Sequence, residues 1–159
     1  MKFKKKGKNI SISKNVKIIG AKNISIGNNV RIDDFTIISC QNGKLSIGSN
    51  VHVAGLCYLG CTGNIFIGNN VNIAQGVKIY SKSDNYLEKT TKRNFAIKKI
   101  KIGNNVIIGS NTVIIPGANI ENNCRVGALS LVKKKLKKNS LYSGIPAVFQ
   151  KKLKWKKIL

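Results

Sequence analysis

One histidine and five acidic residues bound the chemistry open to this 159-residue chain. His52 is the single side chain whose ordinary pKa lies near working pH. It is therefore the candidate general base, able to take a proton from an attacking hydroxyl. Asp84 is the candidate for orienting that imidazole or for accepting a hydrogen bond from a substrate hydroxyl. The four cysteines, Cys40, Cys57, Cys61 and Cys124, include no C-x-x-C pair. With only one histidine beside them, they argue against a zinc site, and no metal is expected. They read instead as small buried thiols.

The formal net charge is +24, from 29 Lys and Arg against 5 Asp and Glu. The basic residues cluster, eight in 1–22, eight in 78–101 and ten in 133–157. Such a surface attracts anions, whether phosphate-bearing small molecules, nucleic acid or an anionic membrane. No recognition-helix pattern or aromatic stacking motif accompanies the charge, so specific nucleic-acid binding is not expected. Nor is there an apolar run of about 18 residues to cross a membrane. The basic N-terminus is not followed by an apolar stretch of about 7–15 residues, so no signal peptide is expected. The expected location is the cytoplasm, with peripheral membrane contact as a second use of the basic termini.

What must position these residues is written between Ile102 and Val132. Ile102, Ile108, Ile114, Ile120, Val126 and Val132 recur every six residues. Four positions after each of the first five stands a small or short residue: Val106, Thr112, Ala118, Cys124, Ser130. A period of six fits neither a helix nor a hairpin strand. It fits a chain that turns a corner every six residues, buries one aliphatic at each, and closes a coil every three corners. Stacked coils then share a core that one coil could not build alone. Aromatic content of only 6% suits such an interior.

Earlier coils open with Ile-Gly-Asn-Asn-Val or its variant at Ile26, Ile47 and Ile67. Gly and Asn tolerate the left-handed backbone of a tight corner. Openings at 26, 47, 67 and 102 are spaced by 21, 20 and 35 residues, against 18 for a plain coil. Two or three residues must therefore bulge from each early coil. A long excursion, residues 80–99, must leave the solenoid altogether, and such loops on rigid scaffolds tend to be functional. The domain plan is a lysine-rich, solvated arm over 1–9, a β-helix over 10–132, and a connector with a capping segment over 133–159. Phe149 and Leu153 are spaced as on a short amphipathic helix, which would cover the open strand edges.

The repeats, the loop and the following SLVKKKLKKNSLYSGIPAVFQKKL resemble the left-handed β-helix acyltransferases, the acetyl-CoA-dependent sugar O- and N-acetyltransferases. The resemblance covers residues 10–150, and Gly144-Ile145-Pro146-Ala147 is similar to the family's G-x-P-A element. It implies an all-β, left-handed parallel β-helix, against the usual right-handed crossover. It also implies a homotrimer with active sites between subunits. Acetyl-CoA contacts would fall on Gly109, Ser110, Ala128 and Lys133. Gly144 and Pro146 would shape the adenine end, with Lys151 or Lys152 near the 3′-phosphate. Small residues would let the backbone lie flat against a pantetheine arm, and lysines would meet phosphates as point charges.

Many family members carry a catalytic histidine in the loop that corresponds here to Ser81-Lys82-Ser83-Asp84-Asn85-Tyr86, and this chain has none there. IYSKSDNY instead resembles a polysaccharide-biosynthesis subgroup with an S-x-S-D-[DN]-Y signature, whose histidine falls at the equivalent of His52. The resemblance thus implies catalytic roles for His52 and Asp84, and substrate contacts for Asn85 and Tyr86. The leading expectation is acetyl-CoA-dependent O-acetylation of a sugar hydroxyl in surface polysaccharide or lipopolysaccharide assembly. The alternative is N-acetylation of an amino sugar on a nucleotide, whose pyrophosphate would suit the basic loop. A third reading, a non-catalytic scaffold, follows from the missing loop histidine. The related γ-class carbonic anhydrases need three histidines per metal and are set aside.

Overall fold

The computed structural model describes residues 2–84 and 94–154. Its short strands stack into three sheets, parallel except for the terminal strand, that form the faces of a triangular prism. The first face has seven strands, the second eight and the third six, which makes six complete coils and part of a seventh. This is an all-β solenoid consistent with the left-handed β-helix of hexapeptide repeats. The 3-10 turn Ala21–Asn23 is the one helical segment among the described residues.

Register confirms that the six-residue period is the core. On the first face, Ile26, Ile47, Ile67, Ile102, Ile120 and Leu136 pair in one column. The third face matches it with Ile18, Ile38, Leu59, Ile79, Ile114 and Val132. The short residues form parallel inner columns; Thr36, Cys57, Val77, Thr112 and Ser130 are all at most 2% exposed. All four cysteines are free and buried, Cys57 and Cys124 in such slots and Cys40 and Cys61 at the corner between third and first faces. Each fully buried aliphatic contributes about 1.5–3 kcal/mol, and only the stacking of neighbours makes that burial possible.

The Gly-Asn-Asn corner divides its labour. The second asparagine takes the left-handed conformation: Asn29, Asn50, Asn70, Asn105 and Asn123 have φ between 54° and 60°. The glycine serves close stacking instead, since a Cβ on Gly68 would lie 2.8 Å from the Gly103 carbonyl. Side chains of Asn9, Asn29, Asn50, Asn70, Asn105, Asn123 and Asn139 donate one to the next at 2.7–3.1 Å, forming a ladder along this edge.

The extra residues of the early coils all sit at the corner between third and first faces, around 20–23, 40–44 and 61–64. The long excursion begins as an antiparallel hairpin stem, Lys82–Asp84 against Phe95–Ile97, and the coil resumes at Ile100–Ile102.

Both ends correct the sequence reading. The basic arm is not a free tail: Lys5–Lys6 pairs with Ile24–Ile26, and the Lys4 and Gly7 amides donate to Ile24 and Ile26. At the other end, residues 148–152 form a strand, Val148–Lys152, antiparallel to Ser140–Ser143. The helical spacing of Phe149 and Leu153 lost to the open edge of the last coil, whose unpaired amides and carbonyls that strand satisfies. Residues 155–159 lie outside the described ones.

Candidate active site

His52 sits at the centre of Val51–Val53 on the second face, half-exposed, between the buried Val51 and Val53. In register it lies between Arg31 and Asn72 of the adjoining coils. Its Nε2 is 2.8 Å from Asp33 Oδ2, and its Nδ1 is 3.1 Å from Asn72 Oδ1. Asp33 is in turn gripped by Arg31, whose Nε and Nη2 donate to its two oxygens at 2.7 and 2.8 Å. The Arg31 guanidinium, seconded by His52, holds the Asp33 carboxyl at about 2, well below its ordinary 3.8. The ionised Asp33 accepts from Nε2–H, and the Asn72 oxygen facing Nδ1 is likewise an acceptor, so each ring nitrogen is met by an acceptor. The imidazole is thus oriented but engaged at both nitrogens.

Asp84 stands elsewhere. It ends the hairpin strand Lys82–Asp84, opposite Phe95, and is exposed. It lines a groove of about 300 Å³ with Tyr58, Thr62, Tyr80, Lys82 and Phe95. The Lys82 ammonium lies 3.5 Å from the centre of the Phe95 ring, which braces the stem. Tyr58 and Tyr80, on adjoining coils of the third face, pack with ring centroids 5.3 Å apart. Those two tyrosines also wall a larger groove of about 710 Å³, which runs past Leu56 and Lys78 to Ser110. The Lys78 ammonium is held inward by the Leu56 and Gly76 carbonyls at 2.6 and 3.1 Å.

Gly109, Ser110 and Ala128 meet at the corner between second and third faces, one coil apart. The Leu129 amide donates to the Ser110 carbonyl at 2.9 Å, and a Cβ on Gly109 would fall 2.8 Å from Ala128 Cα. The next level is the G-x-P-A turn. The Gly144 amide donates to Ser130 Oγ at 3.1 Å, its carbonyl accepts from Leu131, and the Ala147 amide donates to the Leu131 carbonyl. Gly144 has φ 104°, a conformation that favours glycine, and Pro146 follows a cis peptide bond. Gly109, Ser110, Ala128, Gly144 and Pro146 therefore follow one edge of the prism. Lys133 is exposed where the chain leaves the third face, and Lys151 is exposed on the terminal strand beside Leu141.

The structure thus joins Ser110 to Asp84 through Tyr58 and Tyr80, and separates both from His52. The carboxylate beside the imidazole is Asp33, not Asp84. Sequence reasoning missed Asp33, Arg31 and the tyrosine pair. A signal existed: Asp33 and Asn72 lie 19 and 20 residues from His52, one early coil in each direction. Asn85 and Tyr86 lie outside the described residues. Among the described residues no group of three His, Cys, Asp or Glu could hold a metal.

Residues 99–134 match the family model described as bacterial transferase hexapeptide (six repeats). Over 155 residues the chain is 35% identical to the dTDP-4-amino-4,6-dideoxy-D-glucose acyltransferase of Escherichia coli, covering 92% of this chain and 81% of that one. The chain belongs to the hexapeptide-repeat transferases. Within that family, it resembles the solved structure of a variant of AntD, an N-acyltransferase from Bacillus cereus in complex with dTDP-4-amino-4,6-dideoxyglucose and coenzyme A, with a TM-score of 0.87 and 36% identity. That match covers 96% of this chain and 86% of that one. The galactoside O-acetyltransferase of Escherichia coli K12 is 36% identical over a shorter stretch, 64% of this hexapeptide-repeat chain and 53% of that one. This hexapeptide-repeat transferase is a sugar acyltransferase.

Proposed function

We propose that the chain transfers an acyl group from acyl-CoA to the amine of an amino sugar carried on dTDP. One observation carries this reading: the groove that joins Ser110 to Asp84 contains a carboxylate and no histidine among its described residues. A sugar hydroxyl needs a base to become a nucleophile, whereas a neutral amine brings its own lone pair. The amine nitrogen attacks the thioester carbonyl carbon and the C–S bond breaks. The amide nitrogen loses a proton as the CoA thiolate gains one. The Asp84 carboxylate accepts a hydrogen bond from the amine and orients its lone pair. Relatives with nucleotide-linked amino sugars match over more of this chain than the O-acetyltransferase does, which supports the same choice. The alternative expected from sequence thus takes precedence over O-acetylation.

The edge followed by Gly109, Ser110, Ala128, Gly144 and Pro146 is the proposed path of the acyl-CoA, with Lys133 and Lys151 toward its phosphates. Asn85 and Tyr86, next to Asp84 in sequence, are assigned to the acceptor. His52 serves as an oriented polar contact of the second face. A homotrimer is part of the proposal, as the family resemblance implies.

The test is an acceptor panel with acetyl-CoA: dTDP-linked amino sugars, free amino sugars and simple galactosides. Turnover should be confined to the amines. Asp84→Asn should lower kcat/KM by about 100-fold, in the range of lost general acid–base or orienting groups. His52→Ala should stay within about threefold. Turnover of a galactoside with none of any amine, or a loss on His52→Ala as large as on Asp84→Asn, would overturn the proposal.

A further inference from the structure

At its C-terminal end the solenoid presents a surface that acyl transfer does not use. Lys134, Lys135, Lys137 and Lys152 rim a groove of about 530 Å³. Its walls are Tyr142, Val148 and Phe149, the two rings meeting edge-on at 5.9 Å. Val148 and Phe149 are 50% and 52% exposed on the terminal strand, and Ile145 beside them is 75% exposed. Residues 133–154 contain eight lysines and no acid. Among the described residues the carboxylate reaching this region is Glu121, which pairs with Lys135 at 2.7 Å and accepts from the Lys138 amide at 2.9 Å. An apolar centre within a ring of like charges is costly to leave in water. It gains nothing from a duplex backbone, which needs the charges alone. A bilayer of anionic phospholipid satisfies both parts, with phosphates for the lysines and interfacial depth for the apolar side chains.

We propose that this end of the solenoid docks on an anionic phospholipid membrane, with Phe149 and Val148 entering the interface and Lys134, Lys135, Lys137 and Lys152 meeting the headgroups. The surface closes the end of the prism, whereas the groove holding Asp84 opens on its side. Docking therefore leaves the acceptor site free. Copies packed side by side through the prism faces would present this end together, and their contacts would reinforce one another. The proposal does not depend on which acceptor is acylated.

Sedimentation of the full chain with phosphatidylcholine vesicles, with and without phosphatidylglycerol, tests it. Binding should require the anionic lipid. It should weaken between ~0.1 M and ~1 M salt, as the screening length falls from about 10 to about 3 Å. Each lysine near such a surface is worth roughly fivefold in partitioning, so the double variant Lys134→Glu, Lys137→Glu should weaken binding by at least about 100-fold. Phe149→Glu should weaken it by at least about tenfold, with acyl transfer to a soluble acceptor and the thermal midpoint unchanged. Because Phe149 packs on Tyr142, Val148→Glu provides a second apolar variant should the first fail to fold. The proposal is overturned if no vesicle binds, or if both apolar variants bind like the parent. It is equally overturned if a single-stranded oligonucleotide displaces the vesicles from this end.

Discussion

Replacing Asn70 by alanine removes two interactions and adds a strain that can be separated by experiment. Asn70 holds φ at 55°, accepts from Asn50 Nδ2 at 3.0 Å and donates to Asn105 Oδ1 at 3.1 Å. Placing an alanine in left-handed backbone costs about 1–2 kcal/mol. The two lost bonds are exposed and sit near the low end of the usual range, about 0.5 kcal/mol each. Asn70→Ala should therefore destabilise by about 2–3 kcal/mol. Asn70→Gly keeps the backbone comfortable and loses only the bonds, but adds about 0.5–1 kcal/mol through the looser unfolded chain, for a total of about 1.5–2 kcal/mol. Asn119 supplies the control, because its side chain makes no ladder bond and its φ is not positive. Urea unfolding at one fixed protein concentration reads all three, since assembly would make stability depend on concentration. The expected order is Ala worst, Gly intermediate, Asn119→Ala mild. If alanine is tolerated better than glycine at 70, positive φ is not what asparagine supplies. If neither change exceeds the Asn119 control, the ladder contributes nothing to stability.

Three further outcomes follow from the geometry. The Asp33 carboxyl is held at about 2 against an ordinary 3.8, a ceiling of about 2.4 kcal/mol that screening of the exposed Arg31 should reduce to about 1 kcal/mol. Because the folded value is depressed, that stability is present above pH 3.8 and lost as pH falls through 2. The margin of the parent over Asp33→Asn in acid unfolding should accordingly shrink across that window, and a margin independent of pH would count against the pairing. Ala128→Trp, at an exposed position on the proposed acyl-CoA edge, should raise KM for acyl-CoA by about tenfold with kcat and melting temperature little changed. An unchanged KM would move the path elsewhere. Burial pushes the thiols of Cys40, Cys57, Cys61 and Cys124 up from their ordinary values. At pH 8 the folded chain should therefore react with Ellman's reagent far more slowly than the unfolded chain, and a fast thiol in the native protein would contradict the buried slots.

Part of the candidate site is legible in the sequence. Asp84 is marked by the resemblance of IYSKSDNY to a subgroup signature, in a chain where acids are scarce. Gly109, Ser110, Ala128, Gly144 and Pro146 were marked by their resemblance to a family motif, and the structure sets all five along one edge. The partnership of Asp33 with His52 was not legible. It depends on how many residues each early coil sheds at its corner, and the bulges around 20–23, 40–44 and 61–64 carry no pattern of their own. An error of one residue in the bulge at 40–44 would change which residue His52 faces on the preceding coil.

The six-residue period settles the architecture by itself, because each corner is a local decision. A buried aliphatic, a short residue four places on and an asparagine able to hold positive φ suffice to turn the chain. What lies beside what on neighbouring coils is a sum over many corners, and only the folded chain performs that sum. The terminal strand Val148–Lys152 is the other case in which tertiary structure prevailed. Its sequence suits a helix, but the last coil leaves a row of unpaired amides and carbonyls on Ser140–Ser143. Backbone hydrogen bonds offered by a finished neighbour outweigh the few tenths of a kcal/mol by which side-chain preference separates helix from strand.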